Sequence, residues 1–155
     1  MKIIVLALGT RMPAWVESGV DEYLNRFTHE YDVEIREIRL PKRGKNLPSA
    51  RTIAEEGEKL LAARPSHARL IALDERGKSL DSREVASELK DARLHSEDWC
   101  FMIGGPDGLA QDCLTAANAT WSLSKLTLPH PLVRIVLIEQ LYRAATLLAG
   151  HPYHR

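Results

Sequence analysis

Residues 2–8, KIIVLAL, run apolar without alternation from Ile3 and stop at Gly9-Thr10. Such a run is the pattern of a strand covered on both faces, which occurs in parallel sheets sandwiched between helices. It is too short for the apolar region of a signal peptide and no cleavage site follows it. A parallel neighbour needs a helical crossover, so the rest of the chain is expected to alternate strand and helix.

That alternation is present. Pro13 can open a helix whose stripe is Val16, Val20, Leu24 and Phe27, spaced for one face. Asp32 to Leu40 reads as a strand whose alternation breaks once, predicting an irregularity after Ile35. Pro48 and Ser49 can cap a helix reaching Ala63. Arg69 to Leu73 is a short strand, followed by a turn around Gly77. Asp81 and Glu84 have capping-box spacing ahead of a helix with Val85 and Leu89 inward. Trp99 to Ile103 is the fourth strand, Leu109 to Ala119 a helix, and Trp121 to Leu128 the fifth strand. A last helix opens at Pro131. The expected class is α/β, a mostly parallel sheet with helices on both faces, joined by right-handed crossovers. At 155 residues, one domain is expected.

Composition narrows function mainly by exclusion. Hydrophobic residues are 45% and charged residues 27%, so neither disorder nor a fibrous repeat is indicated. Lys plus Arg and Asp plus Glu are 21 each, so no global field draws the protein to nucleic acid, and an RNA contact must come from local clustering. The densest cluster is Lys42, Arg43 and Lys45, with Arg36 and Arg39 upstream; it reads either as a solvated loop or as phosphate contacts. Leu132 to Leu148 is interrupted by Arg134, Glu139, Gln140 and Arg143, too polar and too short for a membrane span. The cytoplasm is the expected compartment. Cys100 and Cys113 form no C-x-x-C pair and read as buried apolar residues, and no metal-ligand spacing such as H-E-x-x-H is present.

Three stretches can carry chemistry. Gly104-Gly105-Pro106-Asp107-Gly108 follows a strand, where consecutive glycines allow close approach of backbone to a ligand; it lacks the spacing of dinucleotide and P-loop motifs and reads otherwise as a plain turn. Ser122 to Leu128 mixes hydroxyls with leucines and suits an adenine ring held by main-chain bonds, or else is an ordinary core strand. The helix after Pro131 is apolar nearly all round, which predicts burial by a second protomer as well as by its own sheet. On it Arg134 lies opposite Arg143 and needs a partner: an acidic residue of this chain, another subunit, or a ligand phosphate. The tail His151-Pro152-Tyr153-His154-Arg155 is either frayed or suited to stacking on RNA bases and moving a proton.

The glycine loop, the run Ser122-Leu123-Ser124-Lys125-Leu126-Thr127-Leu128-Pro129-His130-Pro131-Leu132-Val133-Arg134, the pair Tyr142-Arg143 and the tail together resemble the ribosomal RNA large-subunit methyltransferase H family. Gly9-Thr10, Met12-Pro13 and Lys42-Arg43-Gly44-Lys45-Asn46 agree, so the resemblance spans the chain. It implies a homodimer of the SPOUT class with a C-terminal trefoil knot, here over about residues 100–155 of the single domain. It implies methyl transfer from S-adenosyl-L-methionine to N3 of a pseudouridine in large-subunit ribosomal RNA, within the assembled ribosome.

Cofactor positions implied by the resemblance are Leu73, Gly104 with the adjoining Gly105, and Leu123, Ser124, Lys125, Leu126, Thr127 and Leu128, with Lys125 acting through its backbone. Direct methyl transfer rests largely on positioning, and the acceptor nitrogen must lose a proton. His154, Arg155 and Tyr153, from the second protomer's tail, are the catalytic candidates, and His130 is a further one. Arg134, Arg143, Lys42, Arg43 and Lys45 are the expected RNA contacts. Two rivals are a methyltransferase of the same fold acting on another RNA such as transfer RNA, and a non-catalytic dimer that binds an adenosyl ligand.

Overall fold

A computed structural model describes residues 1–40 and 50–154 of the chain, the side chain of His154 excepted. Five strands form one sheet in the order β2-β1-β4-β3-β5, with every pairing parallel. The elements are β1 Lys2–Leu8, α1 Ala14–Leu24, β2 Asp32–Ile38, α2 Ala50–Ala63, β3 Arg69–Ser79, α3 Ser82–Leu94, β4 Trp99–Ile103, α4 Gln111–Ala116, β5 Ala119–Ser122 and α5 His130–Leu148, with a 3-10 turn at Pro152–His154. The expected cap at Pro48 and Ser49 falls outside the described residues.

Successive residues of a strand point to opposite faces, so the unbroken apolar runs of β1 and β4 feed two cores. Ile3, Val5, Trp99 and Phe101 enter the core beneath α1, α3 and α5, where Trp99, Phe101 and Trp121 meet edge to face. Ile4, Leu6, Cys100 and Met102 enter the core beneath α2 and α4, with Leu60 and Cys113. Both cysteines are free, and burial pushes their thiols up to about 11, which keeps them protonated and unreactive at neutral pH. The Asp81 capping box forms as expected, its carboxylate accepting from the Arg83 and Glu84 amides.

The helix expected over Leu109 to Ala119 is shorter, Gln111–Ala116, with Ala119 already in β5; three further features differ from the sequence expectation. The register of β2 with β1 is continuous from Lys2↔Asp32 to Leu8↔Ile38, so no irregularity follows Ile35. The alternation breaks because this edge strand serves both cores in turn: Val33 and Ile35 pack on one face, Ile38 on the other.

At Gly77 there is an extended strand where a turn was expected. The pairing of β3 with β5 jumps from Leu73↔Trp121 to Lys78↔Trp121, so residues 74–77 bulge from the ladder. A Cβ on Gly77 would lie 2.6 Å from the Trp121 carbonyl carbon, so glycine here marks a close backbone approach.

The third difference is β5, which ends at Ser122. Residues 123–129 leave the sheet as a loop. Burial there does not follow the alternation, since Leu123, Ser124 and Leu128 are half-buried while Leu126 and Thr127 are exposed.

Candidate active site

The carboxyl ends of β3, β4 and β5 and the start of α5 enclose a cleft of about 1010 Å³. Clefts at strand carboxyl ends are where parallel α/β sheets take ligands. Leu73, Gly104, Gly105, Leu123, Ser124, Leu126, Thr127, Leu128 and His130 all line it. Residues up to 57 positions apart in the chain, from Leu73 to His130, are thereby brought to one wall. Lys125 is exposed and its side chain is not part of the lining.

Each wall has a local cause. Gly108 N donates to Gly105 O at 3.0 Å, closing a tight turn with Pro106 and Asp107 at its corners. The turn folds back so far that a Cβ on Gly104 would sit 2.6 Å from the Gly108 carbonyl carbon. Opposite, Ser122 Oγ donates to the Ser124 carbonyl at 2.9 Å and Ser124 Oγ accepts from the Leu126 amide at 2.9 Å. These two bonds bend the loop with its own hydroxyls. The loop holds Leu126 out with 76% of its surface exposed, an apolar side chain at the rim of the cleft.

The lip formed by the β3 bulge had no role in the reading of the sequence. Asp74 accepts from Arg76 Nε at 2.9 Å and from Nη2 at 3.1 Å, and this pairing holds its carboxyl below the usual range. Asp74, Glu75 and Asp107 all line the cleft, against Arg76 as the cation of the lip. An apolar slot with main-chain polar groups and carboxylates fits a flat heteroaromatic ring carrying a cationic group. The D-x-R spacing was a readable sign of the pair; its place on the cleft was not.

Behind His130, and outside the lining itself, Arg134 is 3% exposed. It donates to Glu37 Oε1 at 2.6 Å, to the carbonyls of Gly9 at 2.7 Å and Leu8 at 3.3 Å, and to His130 Nε2 at 3.2 Å. Arg134 was expected among the RNA contacts. Its position makes it an internal anchor instead, because donors engaged this way have nothing to offer a phosphate. Of the partners weighed, the acidic residue of the same chain is the one present.

Burial first, and then the charge of Arg134, pushes the His130 imidazole below its ordinary pKa, against its bonds to the Gly104 and Leu8 backbone and the attraction of Glu37. Since the folded pKa lies below the unfolded one, the folded protein binds fewer protons here. The stability this residue contributes is whole above about pH 6.5 and is lost as pH falls through the folded value. Urea unfolding at pH 7.5 and 5.5 is expected to show a midpoint drop that shrinks in His130→Asn, which does not titrate. Asp74, with a depressed pKa, contributes its loss only at lower pH.

The tail lies elsewhere. Tyr153 donates to Glu139 Oε1 at 3.0 Å, and Arg143 grips the same oxygen through Nε at 2.9 Å and Nη2 at 2.6 Å. The Tyr153 ring packs on Tyr142 at 4.9 Å and beneath the Arg143 guanidinium at 4.8 Å. Burial, then bonds to Tyr23 and Glu139, raise the Tyr153 hydroxyl well above its ordinary pKa, so it stays a donor. Glu139 is about 13.5 Å along the helix from His130, and none of His151, Pro152 and Tyr153 lines the cleft of its own chain. Arg155, Lys42, Arg43 and Lys45, and the side chain of His154, are outside the described residues.

A smaller polar hollow of about 430 Å³ lies at the opposite end of the sheet, lined by Arg64, Arg69 and Asn118. Arg69 is already paired there with Glu88 at 2.9 Å, which leaves the hollow an ordinary surface feature. Among the described residues no group of three or more His, Cys, Asp or Glu could hold a metal ion, and no helix is long and apolar enough to cross a membrane.

The family model described as "Predicted SPOUT methyltransferase" matches residues 1–154. The chain is 53% identical over 155 residues to a protein of Chromohalobacter salexigens named ribosomal RNA large subunit methyltransferase H, with both chains covered completely. It is 48% identical to proteins of the same name from two strains of Legionella pneumophila, over all of this chain and 99% of theirs. A parallel sheet with its cleft at the strand carboxyl ends, built by a chain matched from end to end, places this protein in the SPOUT methyltransferase family.

Proposed function

We propose that this protein, as a homodimer, transfers a methyl group from S-adenosyl-L-methionine to N3 of a pseudouridine in large-subunit ribosomal RNA, on the assembled ribosome. The observation that carries the reading is the convergence of Leu73, Gly104 and residues 123–128 on one cleft. The names of the full-length relatives point to the same substrate class.

The bound cofactor supplies a methyl group made electrophilic by its sulfonium. The chain's own part is binding and orientation. The leucines at 73, 123, 126 and 128 and the loop backbone, which line the cleft, would hold the adenine, and the carboxylates of the lip would favour the cation. Such positioning supplies up to about 7–11 kcal/mol in favourable systems. Tyr153, His154 and Arg155 of the second protomer's tail would complete the site, orienting the base and assisting loss of the N3 proton. That arrangement is favoured by the distance between Tyr153 and the cleft of its own chain. Arg143 supports the tail through Glu139, and Lys42, Arg43 and Lys45 meet RNA phosphates.

Residues 100–155 carry the trefoil knot in this reading. It is supported by the match of the family model over residues 1–154. A cytoplasmic site of action follows from the substrate.

Labelled S-adenosyl-L-methionine incubated with the protein and ribosomes lacking the modification is expected to label one pseudouridine of the large subunit. Label entering transfer RNA instead, or none entering RNA while the cofactor binds, would overturn the reading.

A further inference from the structure

The ends of three strands meet at one pair of side chains. Arg134 ties the Leu8 and Gly9 carbonyls, where β1 stops, to Glu37 near the end of β2. Its Nε donates to His130 Nε2 at 3.2 Å. His130 in turn faces the backbone of Gly104, where β4 gives way to the glycine turn, and that of Leu8.

The last arginine bond decides where the histidine proton is. A guanidinium has donors only and keeps its charge at any working pH, so Nε2 must be the unprotonated nitrogen. The proton of the neutral ring is then on Nδ1, the nitrogen left to donate to a backbone carbonyl.

We propose that His130 is a positioning residue of the cofactor cleft: Arg134 locks it as the Nδ1–H tautomer, and it holds the Gly104 end of β4 in place without taking the substrate's proton. The proposal deepens the methyltransferase reading and rests on it only for its kinetic arm.

Two facts separate this role from that of a base. A general base needs a free lone pair within reach of the proton it removes, and the lone pair of His130 is engaged by a permanent cation. The groups facing the ring are Arg134 from its own helix, the carboxylate of Glu37 from β2, and backbone of Leu8 and Gly104 from β1 and β4. A ring so placed bridges the helix that follows the cofactor loop and the strand that precedes the glycine turn. Both walls of the cleft thus depend on one side chain.

The tautomer can be read in the full-length protein by nitrogen-15 NMR of labelled histidine. The expected signature is a protonated Nδ1 and an unprotonated Nε2, unchanged from about pH 8 to about pH 6. An Nε2–H tautomer, or titration near the ordinary value of about 6.5, would refute the proposal.

Kinetics give the second arm. The amide nitrogen of His130→Asn can replace Nδ1, whereas His130→Ala leaves the Gly104 end without that contact. His130→Ala is expected to weaken S-adenosyl-L-methionine binding about tenfold, and His130→Asn less than about threefold, by calorimetry. The acid limb of the kcat–pH profile should persist in both variants. Loss of that limb in His130→Asn, with a fall in kcat of about a hundredfold, is what removal of a general base gives and would sink the proposal. Should the wild-type protein fail to methylate ribosomes at all, the functional reading fails; the NMR and calorimetric results still decide the role of His130.

Discussion

A chain ending at Pro152 is expected to bind S-adenosyl-L-methionine nearly as tightly as the full-length protein while transferring no measurable methyl group to ribosomes. The deletion removes the bond from Tyr153 to Glu139 and the packing of its ring on Tyr142. Those contacts are worth about 1 kcal/mol each, too little to unfold a domain whose cores lie elsewhere. Among the described residues, Tyr153 is not part of the lining of the cleft. Loss of the groups that orient the base and help remove its proton should cost at least about a thousandfold in kcat. Retained turnover in a truncated protein that is folded by circular dichroism would refute the assignment of the tail.

Mixing tells which cleft the tail serves. If each site joins one protomer's cleft to its partner's tail, co-refolding the truncated chain with a cleft-defective chain creates one complete site in every mixed dimer. About a quarter of wild-type activity should return by random pairing. A tail acting on its own cleft would restore none.

The cleft-defective partner is the second large effect. Gly104→Ala is expected to lower S-adenosyl-L-methionine affinity by about a hundredfold or more, because the new methyl must displace a wall of the site. Its Cβ would stand 2.6 Å from the Gly108 carbonyl carbon, 2.7 Å from that oxygen and 2.9 Å from the Leu109 amide. All three are backbone atoms of a closed turn, with no flexible side chain to yield. The folded state should lose about 1–3 kcal/mol in addition, as overpacking generally costs. Calorimetry with a thermal-unfolding control measures both, and near wild-type affinity in a folded variant would mean that the turn adapts.

The strands were legible where the local pattern matched the local cause. β1 and β4 are buried on both faces, and their unbroken apolar runs say so. The capping box of α3 is a contact between neighbours in the chain, and it formed as its spacing required. Failure came where two different structures leave the same trace. Alternating leucine and serine at 122–128 suits a strand or a half-buried loop equally, and what removed the strand was the end of its partner, with the β3–β5 ladder closing at Ser122. Gly77 signals a turn or a close approach, and only the neighbouring backbone of Thr120 and Trp121 chose between them.

By itself the sequence determined the class of fold and the order of its elements, because these depend on periodicity, and its short motifs carried the resemblance to the family. Tertiary structure alone decided the partners. Glu37 and Arg134 are 97 positions apart, and no local rule joins them; the parallel stacking of β1 and β2 under the start of α5 does. The same packing turned an arginine expected at the RNA surface into the anchor of the cleft, since a buried charge is stable only where acceptors have been gathered around it.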